Sequence, residues 1–381
     1  MKILFISHEA SLSGAPKVLL NLIKWIKEHY PNWILDIVMQ LPGNKEDEFK
    51  KNASRYFLIL EQTRHFTVYD QIMFGIKKKM GLKNESFKEK MFHEIYSMSY
   101  DIIFCNTVVS LKTGIIIKER LPKAKLVCHV HEMEAVAKMC VPNVDALLQK
   151  ADKIIAVSKS VQDDLCTVFN VEKSKTVVIH EFIDDEVLQT KKLKKALEKG
   201  FMVGGSGQAH WRKGCDLFIQ VAHKLKKILP NENIRFLWVG YISSVDKIIY
   251  DADIRKLGLQ GYVEFMGETE EPLKYFSEFD LLLMTSREDP FPLVCIEVAI
   301  LEKPIICFQK AGGSNELISE GGGKSVSYLD TDAMAEEVKH YFLDRNKLAL
   351  DGKKIGDSAK QYVTSVQAPK VVDMLISLSN A

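Results

Sequence analysis

A chain of 381 residues is longer than one hydrophobic core ordinarily supports, so we expect two domains. Its content of 46% hydrophobic and 27% charged residues is typical of a soluble globular protein, and its formal net charge of +2 argues against a nucleic-acid-binding protein. The seven cysteines form no C-x-x-C pair, which favours buried, reduced thiols and a cytoplasmic protein. No apolar run reaches the roughly 18 residues of a membrane-spanning helix, and the opening MKILFISHEA lacks the cleavage region of a signal peptide.

The chain begins with a strand, a loop and a helix. Residues 2–7 predict a buried strand, and an amphipathic helix follows from Pro16. The loop between them contains Gly14, at the end of a strand where a backbone can approach a phosphate or a sugar. A simple tight turn explains this glycine equally well. Two more strands are predicted at 33–40 and 56–62.

Residues 70–91 predict a helix in which six lysines alternate with apolar side chains. Such a helix can lie on a membrane of anionic lipid through its apolar face and its cations. The alternative is an ordinary surface helix with solvated lysines, and the residues alone leave both interpretations open.

The middle of the first half contains the candidate residue His131. The strand at 101–107 ends in polar residues, as expected for a strand that points into a cleft. The strand and helix within 125–138 carry His129, His131 and Glu132 near their junction. A metal site at the two histidines would need a third ligand, so we expect no metal there. His131 is either a residue of the cleft or a single core histidine.

The second half repeats the alternation of strand, loop and helix. Residues 201–225 combine a strand, a glycine-rich loop with Gly207 and Gln208, and the cations Arg212 and Lys213 before a helix. Glycines let the backbone approach phosphates, and neighbouring cations neutralise them. A further strand within 262–280 is followed by a loop with Met266, Gly267 and Glu268.

Two acids stand around a strand-to-helix turn near residue 290. Asp289 lies in the turn after a buried strand, and Glu297 lies about two helical turns further on. Carboxylates accept hydrogen bonds from vicinal hydroxyls, and a helix N-terminus attracts a diphosphate, so this spacing suits a sugar nucleotide. The alternative is that Asp289 merely stabilises the helix and that Glu297 is a solvated surface residue.

The segment 289–298, DPFPLVCIEV, resembles the E-x7-E signature of retaining family-4 glycosyltransferases (glycosyl transferases group 1), whose common form is E-G-F-G-L-x-x-x-E-A. Asp289 stands in place of the first acid, and Pro290 and Pro292 replace two glycines. Residues 151–165 and 175–187 resemble other segments of that family, with Glu181-Phe182 where the family has Asn-Gly. Gln208 stands where the family has an arginine.

The resemblance implies an α/β chain of the GT-B fold, with two Rossmann-like, doubly wound domains that face a central cleft. We expect an acceptor domain at 1–183, a linker at 184–200 and a nucleotide-sugar donor domain at 201–359, with a C-terminal helix near 360–381 that packs back on the first domain. The implied protein is cytoplasmic, with peripheral contact to the inner face of a membrane through 70–91.

The implied activity is a retaining, metal-independent transfer of a hexosyltransferase type, from a nucleotide-sugar donor to a saccharide or lipid-linked acceptor, in bacterial surface polysaccharide biosynthesis. No cofactor is expected. Two alternatives stay open: a GT-B sugar-nucleotide epimerase or hydrolase, and a non-catalytic nucleotide-sugar-binding subunit.

The family pattern also assigns roles to residues of this chain. Arg212 and Lys213 would hold the diphosphate, Glu297 the ribose, and Asp289 and His131 the donor sugar. These five residues are the expected catalytic group. The expected donor-binding residues are Gly14, Gly207, Gln208, Arg212, Lys213, Met266, Gly267, Asp289, Phe291, Leu293, Val294 and Glu297.

Overall fold

The protein, described here by a computed structural model for residues 1–11, 13–59, 87–192, 200–319 and 321–380, has two halves that are each built on a parallel sheet. The predicted pair of doubly wound α/β units is confirmed. Most of the lysine-rich segment 70–91 and residues 193–199 of the expected linker lie outside the described residues.

The first half contains a sheet with the order β3-β2-β1-β4-β5-β6-β7. Its strands are β1 (Lys2–Glu9), β2 (Ile34–Leu41), β3 (Arg55–Leu58), β4 (Ile102–Asn106), β5 (Lys125–Val130), β6 (Lys153–Ala156) and β7 (Thr176–Val178). Its described α-helices are α1 (Gly14–His29), α2 (Glu46–Asn52), α3 (Phe87–Tyr96), α4 (Val108–Arg120), α5 (Glu134–Cys140), α6 (Val144–Leu148) and α7 (Lys159–Thr167). Short 3-10 helices lie at Lys173–Lys175 and Asp185–Lys192.

The second half contains a sheet with the order β10-β9-β8-β11-β12-β13. Its strands are β8 (Phe201–Ser206), β9 (Ile234–Val239), β10 (Val263–Gly267), β11 (Leu281–Met284), β12 (Ile305–Phe308) and β13 (Gly323–Val326). Its described α-helices are α8 (Cys215–Ile228), α9 (Ser244–Lys256), α10 (Pro272–Phe276), α11 (Leu293–Ile300), α12 (Ser314–Leu317), α13 (Thr331–Leu343), α14 (Arg345–Ala359) and α15 (Thr364–Ser379). A 3-10 turn occupies Trp211–Lys213.

Both sheets reverse their strand order at one place, between β1 and β4 in the first half and between β8 and β11 in the second. The central strands β4 and β11 are buried along their whole length, because helices cover both faces of a parallel sheet. The loops that follow the two strands at such a reversal point run in opposite directions. They leave a crevice between them at the carboxyl ends of the strands. The fold therefore predicts a ligand site where the two reversal points face each other.

The last helix, α15, packs against α1 of the first half. Its buried residues Ala368, Val371, Val372 and Leu375 share one apolar cluster with side chains of β1 and α1. The chain thus returns to the first sheet after completing the second. The expected domain boundaries themselves stay a prediction.

A tight turn brings the two cations of the second half to the end of β11. Gly214 has a φ of +66°, and a Cβ atom there would lie 2.0 Å from the carbonyl oxygen of Thr285. The Thr285 hydroxyl donates to the carbonyl oxygen of Lys213 over 3.1 Å. Only glycine allows this close approach of two backbones, so Gly214 fixes the height of Arg212 and Lys213 above the sheet.

Glu316, in α12, joins the two halves through three hydrogen bonds. Its carboxylate accepts from the backbone N–H groups of Lys159 (2.8 Å) and Ser160 (3.3 Å) and lies 2.9 Å from His180 Nε2. The two amides begin α7, where a helix has N–H groups without an intrahelical partner and a partial positive charge. Glu316 therefore stabilises the contact between the halves on the side of α7.

We expect Glu316→Ala to lower the melting temperature Tm by about 2–8 °C, because two helix amides and a histidine lose a charged partner. Glu119→Ala, at an exposed position of α4, is the control and should leave Tm unchanged. Equal Tm values for the two variants in a thermal denaturation would contradict a structural role for Glu316.

We also expect Gly214→Ala to lower Tm at least twice as much as Gly258→Ala does. The two glycines have nearly the same positive φ, +66° and +67°, so a side chain strains the backbone equally at both. A Cβ atom at Gly258 meets nothing within 4 Å, whereas one at Gly214 collides with Thr285. Similar Tm values for both variants would show that the backbones at Gly214 and Thr285 can separate at no cost.

Candidate functional site

A cavity of about 650 Å³ lies between the two halves, at the carboxyl ends of their central strands. It is lined by all the predicted site residues except Met266 and Gly267. Those two residues were predicted to lie in a loop but are the last two of β10, which is two residues longer than the sequence pattern indicates. Glu268 and Thr269, which follow them, line the cavity instead. The remaining predicted residues are brought together: Gly14, His131, Gly207, Gln208, Arg212, Lys213, Asp289, Phe291, Leu293, Val294 and Glu297.

Asp289 forms the centre of a buried ionic cluster. Lys213 Nζ lies 2.5 Å from Asp289 Oδ2, the Arg212 guanidinium lies 3.6 Å from Oδ1, and the Ser286 hydroxyl donates to Oδ2 over 3.2 Å. Burial alone would raise the pKa of Asp289, but the charges of Lys213 and Arg212 outweigh it and hold the pKa below its usual value. Asp289 is therefore an ionised acid that holds two cations at the cavity wall.

The backbone of Asp289 is fixed as firmly as its side chain. Its N–H donates to the carbonyl oxygen of Ala311 (2.7 Å), and its own carbonyl oxygen accepts from the N–H of Gly313 (3.1 Å). These two hydrogen bonds attach the loop after β11 to the loop after β12. The position of the Asp289 carboxylate is therefore fixed even without a ligand.

Glu297 crosses the cavity to the first half. Its Oε1 lies 2.8 Å from Nζ of Lys17, in the first turns of α1. Glu297 is only 9% exposed, so it is not the solvated surface residue of the alternative interpretation. Sequence reasoning missed Lys17, because the two partners are 280 positions apart.

The N-terminus of α11 also opens onto the cavity. Pro292 precedes the helix and caps it without a side-chain hydrogen bond, and Leu293 and Val294 follow as its first residues. The first N–H groups of a helix have no intrahelical acceptor. Leu293 and Val294 line the same cavity as Lys213 and Arg212, so an anion bound there can meet both helix N–H groups and cations.

His131 belongs to the cavity wall and is held from both sides. Its Nδ1 lies 2.9 Å from Glu181 Oε1, and its Nε2 lies 3.1 Å from Asn106 Oδ1. Burial, and to a lesser degree the nearby His8, lowers the pKa of His131 to about 3. His129, in contrast, lies inside β5 and is 1% exposed, so it is a core residue.

Glu181 is a second residue of the cavity wall, after Lys17, that sequence reasoning did not assign. Burial, and secondarily the charge of Asp289, raises its pKa to about 8 in spite of Lys213 and Arg212. The neighbouring Glu132 has its pKa raised by burial to about 7 and accepts the backbone N–H of His131 over 3.0 Å. The only signal in the sequence was that Glu181 stands where the family pattern has an asparagine.

Among the described residues, no group of three or more His, Cys, Asp or Glu side chains is arranged to bind a metal ion. In the same parts of the chain, every helix is too short or too polar to pass through a lipid bilayer. The expectation of a metal-independent reaction remains a proposal.

Two sequence profiles match most of the chain. The profile described as Glycosyltransferase Family 4 matches residues 60–187, and the profile described as Glycosyl transferases group 1 matches residues 199–344. Together they cover more than two thirds of the 381 residues.

Curated relatives are distant but consistent with these profiles. The capsular polysaccharide biosynthesis glycosyltransferase CapM of Staphylococcus aureus is 22% identical over 227 residues, which are 58% of each chain. A Campylobacter jejuni enzyme named GalNAc-alpha-(1->4)-GalNAc-alpha-(1->3)-diNAcBac-PP-undecaprenol alpha-1,4-N-acetyl-D-galactosaminyltransferase is 25% identical over 351 residues, 91% of this chain and 90% of that enzyme. The chain spans only 51–62% of the length of three of these relatives, and CapM is one of the three.

Solved structures share the whole fold. Anabaena Alr3699/HepE in complex with UDP-glucose superposes with a TM-score of 0.79 at 18% identity, over 99% of this chain and 100% of that one. TarM superposes with a TM-score of 0.71 at 16% identity, over 100% and 99% of the two chains. The expected GT-B architecture is confirmed by these neighbours. With both profiles matched and the cleft between two parallel sheets in place, the chain belongs to the GT-B glycosyltransferases of family 4, glycosyl transferases group 1.

Proposed function

We propose that this protein is a retaining glycosyltransferase that moves a sugar from a nucleoside diphosphate sugar to a saccharide or lipid-linked acceptor of a bacterial surface glycan. The observation that carries the proposal is the cluster of Arg212, Lys213 and Asp289 beside the free N-terminus of α11. This arrangement offers cations and backbone N–H groups to a diphosphate, and a carboxylate to sugar hydroxyls, within one cavity.

Binding of the donor would exchange one partner of Lys213 for another. Without ligand, Lys213 neutralises Asp289. A diphosphate carries more charge than one carboxylate, so its oxygens would compete for Lys213 and Arg212 and accept hydrogen bonds from the amides of Leu293 and Val294. The carboxylate of Asp289 would then be available to the hydroxyls of the sugar.

The nucleoside would lie on the side of Glu297, whose carboxylate accepts hydrogen bonds from ribose hydroxyls in this proposal. Lys17 already holds Glu297 from the first half. The ribose would therefore bind where the two halves touch, and a closed cleft would exclude water from the donor.

In the proposed reaction the acceptor hydroxyl attacks the anomeric carbon from the face that the diphosphate leaves. The bond between that carbon and the phosphate oxygen breaks, the new glycosidic bond forms, and the hydroxyl proton passes to a leaving phosphate oxygen. Arg212 and Lys213 would stabilise the negative charge that develops on the leaving group, which in this proposal makes a metal ion unnecessary. The retaining course is supported by the resemblance around Asp289 and Glu297.

The acceptor class and the membrane contact rest on the relatives and the sequence. One relative is named as acting on a saccharide linked to diphospho-undecaprenol, and another as taking part in capsular polysaccharide biosynthesis. A lipid-linked acceptor fits a cytoplasmic enzyme whose lysine-rich segment 70–91 touches anionic lipid. Most of that segment lies outside the described residues, and the contact stays a proposal.

A thermal-shift screen tests the donor site directly. UDP, GDP, ADP and their sugar conjugates are added at millimolar concentration, and we expect one nucleoside diphosphate and its conjugate to raise Tm, because a ligand of the native state stabilises it. No shift with any of them would contradict the proposed donor site. If the protein binds a nucleotide sugar but converts none, it is the non-catalytic subunit. If it converts the donor without an acceptor, it is the epimerase or hydrolase.

Glu297→Ala should weaken binding of the active nucleoside diphosphate by about 1–3 kcal/mol, the range for a lost hydrogen bond to a charged group. Isothermal titration calorimetry measures the change. The matched control is Glu232→Ala, an exposed acid of the same half, which should bind as the wild type does. If both variants bind equally well, Glu297 is not part of the nucleotide site.

A further inference from the structure

Glu181 presents an oxygen to the cavity that nothing in the described protein uses. The residue is 6% exposed, and its Oε1 lies against His131. Its Oε2 has no hydrogen-bond partner among the described residues, and a Cβ atom on Gly14 would lie 3.9 Å from it. Burying a carboxyl oxygen without a hydrogen-bond partner costs free energy. An unpartnered carboxyl oxygen at a cavity wall therefore has the geometry of a ligand contact.

The hydrogen bonds around His131 fix where its proton lies. Nδ2 of Asn106 donates to the carbonyl oxygen of Ala15 over 3.1 Å, so the side-chain oxygen of Asn106 is the atom that faces His131 Nε2. That oxygen only accepts, so Nε2 must carry the proton. In a neutral ring Nδ1 is then an acceptor, and the short contact with Glu181 Oε1 needs a proton from Glu181.

The other arrangement, an imidazolium beside a carboxylate, would place two charges in a wall where the side chains of His131 and Glu181 are 4% and 7% exposed. The raised pKa of Glu181, about 8, and the lowered pKa of His131, about 3, agree with a neutral pair. The titratable and charged groups that face this pair from both halves are His8, His129, Glu132, Arg212, Lys213 and Asp289.

We propose that Glu181 is a further substrate-binding residue, a neutral carboxylic acid that donates through Oε1 to His131 and accepts a sugar hydroxyl at Oε2. The sugar contact rests on the proposed function. The class of ligand follows from the chemistry: an oxygen of a neutral acid that already donates elsewhere only accepts, so it selects an uncharged O–H or N–H donor. The hydroxyl can belong to the donor sugar or to the acceptor saccharide, because both meet in this cavity.

A glutamine has the same shape as this protonated acid and can form the same two hydrogen bonds. Its NH₂ group donates to His131 Nδ1 as the acid does, and its carbonyl oxygen replaces Oε2. The asparagine of the family pattern at this position is also an amide. Glu181→Gln should therefore keep both hydrogen bonds near pH 7, whereas Glu181→Leu removes both at similar volume.

The protonation is tested on the protein without ligand. A difference infrared spectrum, wild type minus Glu181→Gln, at pH 6.5 should contain the carbonyl stretch of a protonated carboxylic acid, and the band should vanish as the pH rises through about 8. The subtraction isolates Glu181 from other protonated acids such as Glu132. A spectrum with only carboxylate bands at pH 6.5 would overturn the neutral acid.

The sugar contact is tested by titration calorimetry with UDP-glucose and with UDP, whose affinity ratio isolates the sugar. Glu181→Gln should keep the ratio near pH 7, and Glu181→Leu should lower it about 5- to 150-fold, because a ligand hydroxyl is left buried without a partner. A second titration adds methyl glucoside to the protein loaded with UDP. If Glu181→Leu weakens this binding and leaves the UDP-glucose to UDP ratio unchanged, the hydroxyl belongs to the acceptor. Unchanged affinities in both titrations would overturn the contact.

A matched control separates this effect from loss of fold. Glu316→Leu removes a carboxylate that accepts from two backbone N–H groups, so the Tm of this variant should fall while the Tm of Glu181→Gln stays that of the wild type. A wild type that binds no nucleotide would overturn the proposed function and with it the sugar contact, whereas the infrared band would still decide whether Glu181 is a neutral acid.

Discussion

The ion pair between Lys213 and Asp289 is the interaction on which the cleft depends. Two opposite charges buried 2.5 Å apart hold the loop after β8 against the loop after β11, and the second sheet supplies both loops from neighbouring strands. Desolvating such a pair is costly unless further hydrogen bonds support it. Here Ser286 and Arg212 provide that support to the carboxylate, and hydrogen bonds to Ala311 and Gly313 hold the backbone of Asp289 at the cavity wall.

The opposite wall is built on a different principle. The first half contributes a histidine and an acid that are nearly excluded from water, and their burial favours a neutral pair in which Glu181 donates to His131. In the proposed function, the cleft places a charged, phosphate-binding wall opposite a neutral, hydroxyl-binding wall. Lys17 and Glu297 connect the two walls, and Glu316 connects the halves from outside the cleft. A sugar nucleotide has the same division, with charge at one end and hydroxyls at the other.

The sequence was informative wherever a site lies within one strand, loop and helix. Asp289, Leu293, Val294 and Glu297 fall in a single such unit, so their positions around the helix N-terminus follow from spacing. The glycine-rich loop and its cations follow from the same rule in the unit after β8. The alternation of strands and helices also predicted two parallel sheets, because a parallel connection needs a helix to cover it.

Pairings between units could not be predicted in this way. Lys17 meets Glu297 and His131 meets Glu181 only because two reversal points face each other, and spacing in the chain carries no information about that. Met266 and Gly267 were predicted to lie in the loop after β10 but are its last two residues, because pairing with β9 extends the strand to Gly267. The raised pKa of Glu181 likewise comes from burial by both halves.

The most direct test of the account is a crystal structure with the nucleoside diphosphate that raises Tm. The account predicts that Lys213 Nζ moves to within about 3 Å of a phosphate oxygen, the length of a hydrogen bond, while the carboxylate of Asp289 turns free toward the sugar side of the cavity. A nucleotide whose phosphates lie out of reach of Lys213, with the Lys213–Asp289 ion pair intact, would contradict it.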